Sequence, residues 1–559
     1  MAFAEIASVI AIGPFMALVG DLDQLRGEGL IAQFYVYSGA ADPHSFLMMI
    51  GAGVLTVLTL ASAISIFTAW CLALYGTKVG AELSCRLFRH YLYQPWLFHT
   101  SQTSSQLTNR IALESQRVTN SVINPLMQLN AKLVLAFCMA VAIFIYNPLV
   151  ALGGVSIFIA AYLVLYLTVR RRLIRNGRTI SDVQGVRFKL MNEGFGGIRD
   201  VLLLERQPIF TARFERASNH LARAQGTTRA MGQIPRYIME LVAFGSIILL
   251  VLYLLAAYDG NLGAILPMLS IYALAGFKLL PALQVVYGST SQIRGNLAAI
   301  DALRTDLQAS ALVPQLPTET DRMNDGSPWK PKQRIQLKDV TFTYPGKTQP
   351  VLKDVTLDID VNQTIGLVGP SGGGKSTIID ILLGLIKPQQ GQLLIDGEPV
   401  TEANRHLWHR VVGFVPQSIF LADSSIRENI AFGLPQEQID DANVTRAAHL
   451  AHLDELLESL PDGLETRVGE RGIQLSGGQR QRIGIARALY YDPDILVLDE
   501  ATSALDGATE KAVMDAIYDF SGKKTIVMIA HRLTTVEKCD LIYSVDGGLV
   551  FEDKEILRK

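Results

Sequence analysis

The sequence predicts two unlike domains in one chain. An all-α polytopic membrane domain of six transmembrane helices, with long cytoplasmic extensions, comes first. An α/β domain organised around a phosphate-binding loop follows. Three observations carry this expectation. Long apolar runs recur up to about Ile300. After about Pro314 the pattern becomes that of a soluble α/β protein. And Gly369-Pro-Ser-Gly-Gly-Gly-Lys375-Ser376-Thr377 fits the G-x-x-x-x-G-K-[ST] phosphate loop.

A chain of 559 residues is too long for one ordinary domain. We place the membrane domain at 1–312, a linker at 313–333 and the nucleotide-binding domain at 334–559. The net charge of −2 implies no global attraction to nucleic acid. Cys71, Cys85, Cys138 and Cys539 are widely spaced and form no C-x-x-C pair. They read as buried structural thiols rather than a metal cluster or redox dithiol.

A bilayer-crossing helix needs about 20 mainly apolar residues, because lipid leaves open backbone groups unsatisfied. Such spans fall near 2–19, 47–76, 127–146, 149–169, 238–256 and 263–286. The first holds only about 18 apolar-rich residues, with Glu5 and Pro14 inside it, and is short for a span. It lacks a basic leader segment, so it is read as a span and not as a cleaved signal. Asn147-Pro148 joins the third and fourth spans, and Ala257–Leu262 the fifth and sixth; neither turn holds Lys or Arg. The alternate loops are basic. Segment 77–125 has Lys78, Arg86, Arg89, Arg110 and Arg117; segment 170–237 opens with Arg170-Arg171-Arg172 and ends at Arg236. Positive charge resists translocation, so these loops and the second domain should be cytoplasmic.

The basic loops are too long for plain connectors and carry helical periodicity. The membrane helices should therefore run on into the cytoplasm. Their tips, Pro95-Trp96-Leu97-Phe98 and Gln207-Pro208-Ile209-Phe210 with Arg213 and Phe214, carry aromatic anchors suited to docking on the second domain.

In that domain Thr364–Val368 reads as a buried strand and Lys375–Ile386 as the helix after it. Gly369, Ser371, Gly372, Gly373 and Gly374 let backbone N–H groups wrap a phosphate, and the helix N-terminus adds positive potential. Lys375 should reach the β- and γ-phosphates, Ser376 should hold Mg²⁺, and Thr377 completes the motif. Ile495-Leu-Val-Leu498 reads as a second buried strand ending in Asp499, a Mg²⁺ partner through water, and Glu500, a general base for the attacking water. Leu475-Ser-Gly-Gly-Gln479 opens another helix. There Ser476, Gly478 and Gln479 offer a second phosphate-binding surface.

Phosphate loop, Leu475–Gln479 and Ile495–Glu500, in this order, resemble the ATPase cassette of ABC transporters. The resemblance implies ATP and Mg²⁺ as ligands and a homodimer that sandwiches ATP in two composite sites. It also implies further roles. Tyr344 resembles the aromatic that stacks on adenine. Gln417 resembles the glutamine linking Mg²⁺ to the membrane domain. Asp506, in Ser503-Ala-Leu-Asp506, resembles the loop crossing to the other subunit. His531 resembles the histidine that senses the γ-phosphate. Thr466–Gly472 resembles the segment meeting the coupling tips, with Arg467 where an acidic residue is common.

A membrane domain followed by a cassette on one chain resembles the ABC exporters. Asn192–Glu205, Ile234–Glu240 and Leu269–Pro281 look like the flippases of lipid-linked glycans, and Leu30–Tyr37 like their external helix. The expected cargo is therefore a lipid-linked glycan or similar amphipathic lipid. Export of another lipid, a peptide or a drug is the alternative, and a regulatory ATPase without transport a second one. Charged residues in spans usually line cavities, so Arg236, Lys278 and Lys132 are candidate partners for an anionic head. Ala61 and Val285 stand where the flippases carry arginines.

Overall fold

The structure is a computed structural model that describes residues 2–20, 30–39, 42–146, 148–257, 262–311, 326–501, 507–530 and 535–553. Two compact units emerge. One comprises Met1–Gln94 with Phe98–Gln315, the other Pro95–Leu97 with Leu316–Lys559.

The first unit is helical. Its main elements are Ala2–Gly20, Pro43–Leu92, Asn124–Tyr146, Pro148–Gly196, Gln207–Ala257 and Leu262–Ala311. All six expected spans fall inside them. Among the described residues three helical stretches, Pro43–Leu92, Ser104–Ile145 and Leu152–Gly196, have windows of mean hydropathy 2.2, 2.0 and 2.1 and suffice to cross a bilayer. Pro43–Leu92 has 50 residues, which at 1.5 Å each makes roughly 75 Å. The hydrocarbon layer is only about 30 Å thick. The surplus is the expected extension beyond the membrane.

Leu55, Leu60, Phe67 and Trp70 stand exposed on this helix, as a lipid-facing surface requires and a soluble one rarely shows. The cysteine reading needs correction here. Only Cys539 is buried, Cys138 is half-buried, and Cys71 and Cys85 are exposed. Cys71 lies in the apolar span, where lipid takes the place of protein neighbours.

Close helix contacts rest on small residues. A Cβ added at Gly177 would lie 2.3 Å from the Gly295 carbonyl oxygen. Beside this contact Arg117 binds three helices together. Its Nε donates to Asn296 Oδ1 at 2.7 Å, Nη1 to Ser181 Oγ at 2.7 Å and Nη2 to the Gly177 carbonyl at 3.0 Å. The stretch that carries it contains two π-helical turns, Arg110–Glu114 and Thr119–Ile123.

The helices break at the two expected tips. A short helix Trp96–Ser101 sits between Pro43–Leu92 and Ser104–Asn109. Leu204–Arg206 separates Ile198–Leu203 from Gln207–Ala257. The segment Leu30–Ser38 is helical. Tyr35 packs edge-on to Phe46, with ring centroids 5.0 Å apart, while Phe34, Val36 and Tyr37 are exposed.

The second unit is α/β. Its strands are β1 Arg334–Phe342, β2 Leu352–Asp360, β3 Thr364–Val368, β4 Gln390–Ile395, β5 Glu398–Pro399, β6 Val412–Val415, β7 Ile495–Asp499, β8 Thr525–Ile529, β9 Leu541–Asp546 and β10 Leu549–Glu552. A four-stranded antiparallel sheet runs β2-β1-β4-β5, and a six-stranded sheet runs β10-β9-β3-β8-β7-β6. In the larger sheet β6, β7, β8, β3 and β9 are parallel neighbours. Every residue of β3 and β8 is buried, as parallel strands covered on both faces demand. Within this unit Leu97 packs against the core formed by Phe342, Leu367 and Trp408.

Candidate functional site: the carboxyl ends of the parallel strands

Parallel sheets bind ligands beyond the carboxyl ends of their strands. Here β3 and β7 flank β8 in parallel, so the carboxyl ends of these three strands share one edge. The phosphate loop follows β3. Gly369 has φ 139° and Gly374 φ 113°, conformations that favour glycine. Space forbids a side chain as well. A Cβ at Gly369 would lie 2.2 Å from the Val545 carbonyl oxygen, and one at Gly373 2.5 Å from the same atom.

Gly374 caps the helix Lys375–Leu382, which ends before the expected Ile386 because Gly384 turns left-handed at φ 68°. Lys375 is buried. Its Nζ donates to the Gly369 and Pro370 carbonyls at 2.8 and 2.9 Å. Tyr344 stands beside the loop, its hydroxyl 3.2 Å from Thr377 Oγ1 and its ring edge-on to Phe342 at 4.9 Å.

At the end of β7, Asp499 leads into Glu500. Glu500 has φ 49°, a left-handed conformation rare outside glycine. Such strain gathers at functional positions, where it fixes the direction of a side chain. The Glu500 N–H bonds to the Ile529 carbonyl at 3.3 Å, and its Oε2 accepts from Gln417 Nε2 at 2.8 Å. The two residues lie 83 positions apart in sequence. Asp380, in the helix after the loop, is pushed up to about 6, first by burial and also by the Asp499 carboxylate.

Ser476 caps the 13-residue helix Gly477–Leu489 in a capping box. Its Oγ accepts from the Gln479 N–H at 3.2 Å, and its own N–H donates to Gln479 Oε1 at 2.8 Å. The segment Thr466–Gly472 is tied to the stretch after Gln417. The Ile426 N–H donates to Thr466 and the Val468 N–H to Ser424, and Ser425 forms a bridge with Arg467.

Sequence reading missed one pair. Arg487, on the helix that begins at Ser476, donates to the Asn429 and Phe420 carbonyls at 2.9 Å and lies 4.5 Å from the Phe432 ring centre. Burial pushes its guanidinium down to about 10. Asn429, fully buried, donates to the Ala422 carbonyl and accepts from its N–H. The pair locks the stretch after Gln417 to the Ser476 helix. The signal was an arginine in the register of Ile483 and Ala486, both buried.

Other expected residues meet different fates. Asp506 and His531, and the side chain of Lys278, lie outside the described residues. Lys132 is ion-paired with Glu5 at 3.0 Å, and Arg236 with Glu240 at 2.8 Å. Gln284 also donates to Glu240. Ala61 is buried and Val285 half-buried.

Residues 352–503 match the family described as ABC transporter, and residues 15–278 match the ABC transporter transmembrane region. An ATP-dependent lipid A-core flippase from Mannheimia succiniciproducens is 32% identical over 528 residues, 92% of this chain and 86% of that protein. The chain is an ABC exporter. A protein of the same name from Vibrio cholerae is 29% identical to the exporter over 551 residues, 98% of this chain and 91% of its own. The solved structure of a bacterial Atm1-family ABC exporter with ATP bound shares the fold. Its TM-score is 0.78 at 21% identity, with 98% of this chain and 93% of that one covered. The exporter is thus a multi-pass membrane protein whose second unit binds nucleotide and couples ATP hydrolysis to transport.

Proposed function

We propose that the exporter flips an amphipathic lipid with an anionic, sugar-bearing head from the cytoplasmic to the external leaflet of the inner membrane by alternating access. The observation that carries this reading is the joining, on one chain, of long lipid-exposed helices to a phosphate loop and a Gln417-bonded Glu500. The flippase names of the relatives support a lipid cargo. They favour a lipid A-core type of glycolipid over the polyprenyl-pyrophosphate glycan suggested by Asn192–Glu205.

The motifs, with the geometry of the described residues, support the following roles at the ATP site. The loop from Gly369 to Gly374, with Ser371, Ser376 and Thr377, wraps the phosphates. Lys375 exchanges its loop carbonyls for phosphate oxygens, and Tyr344 stacks on adenine. Glu500 takes the proton of the attacking water, and His531 has the role of sensing the γ-phosphate. Ser376, Gln417 and Asp499 form an all-oxygen donor set, the kind that suits Mg²⁺. Gln417 fits this role because its Nε2 is occupied by Glu500, leaving its carbonyl oxygen for the cation. Bound Mg²⁺ would neutralise charge on the phosphates. Ser476, Gly478, Gln479 and Asp506 serve the ATP of a second copy, giving a homodimer with two composite sites.

With Lys132 and Arg236 already ion-paired, Lys278 is the proposed partner of the lipid head. A cation inside a span costs about 2.5–3.5 kcal/mol on insertion scales, so it calls for an anionic or polar neighbour. The test measures ATPase activity of reconstituted wild type and Lys278→Ala with lipid A-core glycolipid, polyprenyl-pyrophosphate glycan or free peptide added. Stimulation by the first alone, weakened in the variant while basal turnover is kept, is expected. Stimulation by peptide alone would contradict the lipid reading, and an unweakened variant would remove Lys278.

A further inference from the structure

The tip Trp96–Ser101 is held from one side by a polar tie that neither the ATPase motifs nor the span pattern uses. Asp306 lies near the end of Leu262–Ala311, the last helix before the linker. Its Oδ2 accepts from the Tyr91 hydroxyl at 2.6 Å and from Arg110 Nη1 at 2.9 Å. Tyr91 belongs to the arm that descends to the tip, and Arg110 to the arm that returns from it. One carboxylate oxygen thus joins both arms to the helix that leads to the second unit. One turn further on, Arg86 Nε donates to Ser310 Oγ and Nη2 to the Leu307 carbonyl, both at 2.8 Å.

Tyr91 is buried, and the Asp306 side chain is only 15% exposed. Charge-assisted bonds in such a setting are stronger than exposed ones. The Tyr91 ring then stacks on Phe98 of the tip helix, with centroids 6.0 Å apart and planes 17° from parallel. Leu87, Val118, Ala299 and Leu303 already pack the three helices together. Apolar packing is non-directional; the hydrogen bond from Tyr91 is directional, and the ring it holds rests on Phe98 of the tip.

We propose that Asp306 and Tyr91 are positioning residues for coupling. By orienting the tip through Phe98, they let cargo binding accelerate ATP hydrolysis. This rests on the reading of Trp96–Ser101 as the tip that meets the ATPase during transport. It adds that the last helix before the linker and the tip are steered by one carboxylate, so movement of that helix turns the tip.

Two disrupting variants and one restoring variant test it. Tyr91→Phe removes one oxygen and keeps the ring on Phe98. Asp306→Asn removes the charge, and Asp306→Glu restores it. A spin label on Ser101 in a cysteine-free background reports tip mobility without any cargo, with Lys189 as the control position. The immobilised fraction at Ser101 should fall at least twofold in the first two variants, stay near wild type in Asp306→Glu, and not change at Lys189. Basal ATPase should stay within twofold of wild type, and the ratio of lipid-stimulated to basal ATPase should fall at least threefold. An equally immobile tip in both variants, or full stimulation in either, would overturn the proposal. A tip that loosens in a protein no lipid stimulates, wild type included, supports the tie and contradicts the lipid cargo.

Discussion

Glu500 shows how much one backbone conformation can do. Its φ of 49° turns the carboxylate off the line of β7 and onto Gln417 Nε2. A general base needs geometry before it needs a suitable pKa. Glu500→Gln keeps size and hydrogen bonding but cannot take a proton. It should retain ATP binding and lose about 10²–10⁴-fold in turnover, checked by nucleotide binding and steady-state phosphate release on the same sample. Near-normal turnover would remove Glu500 from the role. The place of this residue was legible in sequence, because the apolar run Ile495–Leu498 stops at two carboxylates; its role as base is our reading. Gln417 was singled out only through a resemblance, as a link to Mg²⁺, and its bond to Glu500 across 83 positions was not foreseen.

Among the elements, those set by local rules were the readable ones. β3, β7 and β8 are short apolar runs, and the loop glycines are demanded by φ and by the Val545 carbonyl. Long-range ties were not readable. Arg487 meets Asn429 over 58 positions and Tyr91 meets Asp306 over 215, and no periodicity marks either pair. Cys71 misled because burial statistics from soluble cores do not apply to a helix that faces lipid, whereas Cys85 is exposed on the helix beyond the span.

Two helix N-termini, one after Gly374 and one after Ser476, occur once per chain. Each favours an anion, which under our reading pairs the loop of one copy with the Ser476 helix of the other. Mixing Lys375→Ala subunits with Ser476→Arg subunits should recover one working site per heterodimer, when each variant alone is inactive. ATP turnover of the tagged, purified heterodimer is the readout. No recovery above the separate variants, despite a heterodimer on the column, would count against shared sites.

The whole molecule joins a helical unit that belongs in lipid to an α/β unit that hydrolyses ATP. The family supplies the coupling of the two; the direction of movement and the cargo are our reading. That reading is most exposed to a flipping measurement. The exporter is reconstituted in vesicles whose glycolipid of the lipid A-core type carries a fluorophore on its head, and ATP and Mg²⁺ are added outside. Copies with the ATPase unit outward should carry labelled heads from the outer leaflet to the lumen. The fraction protected from a membrane-impermeant quencher should rise with ATP in wild type. It should rise at least about 10²-fold more slowly in Glu500→Gln, the lower end of what a lost base costs. ATP consumption by wild type with no rise in protection above the ATP-free rate would contradict the account.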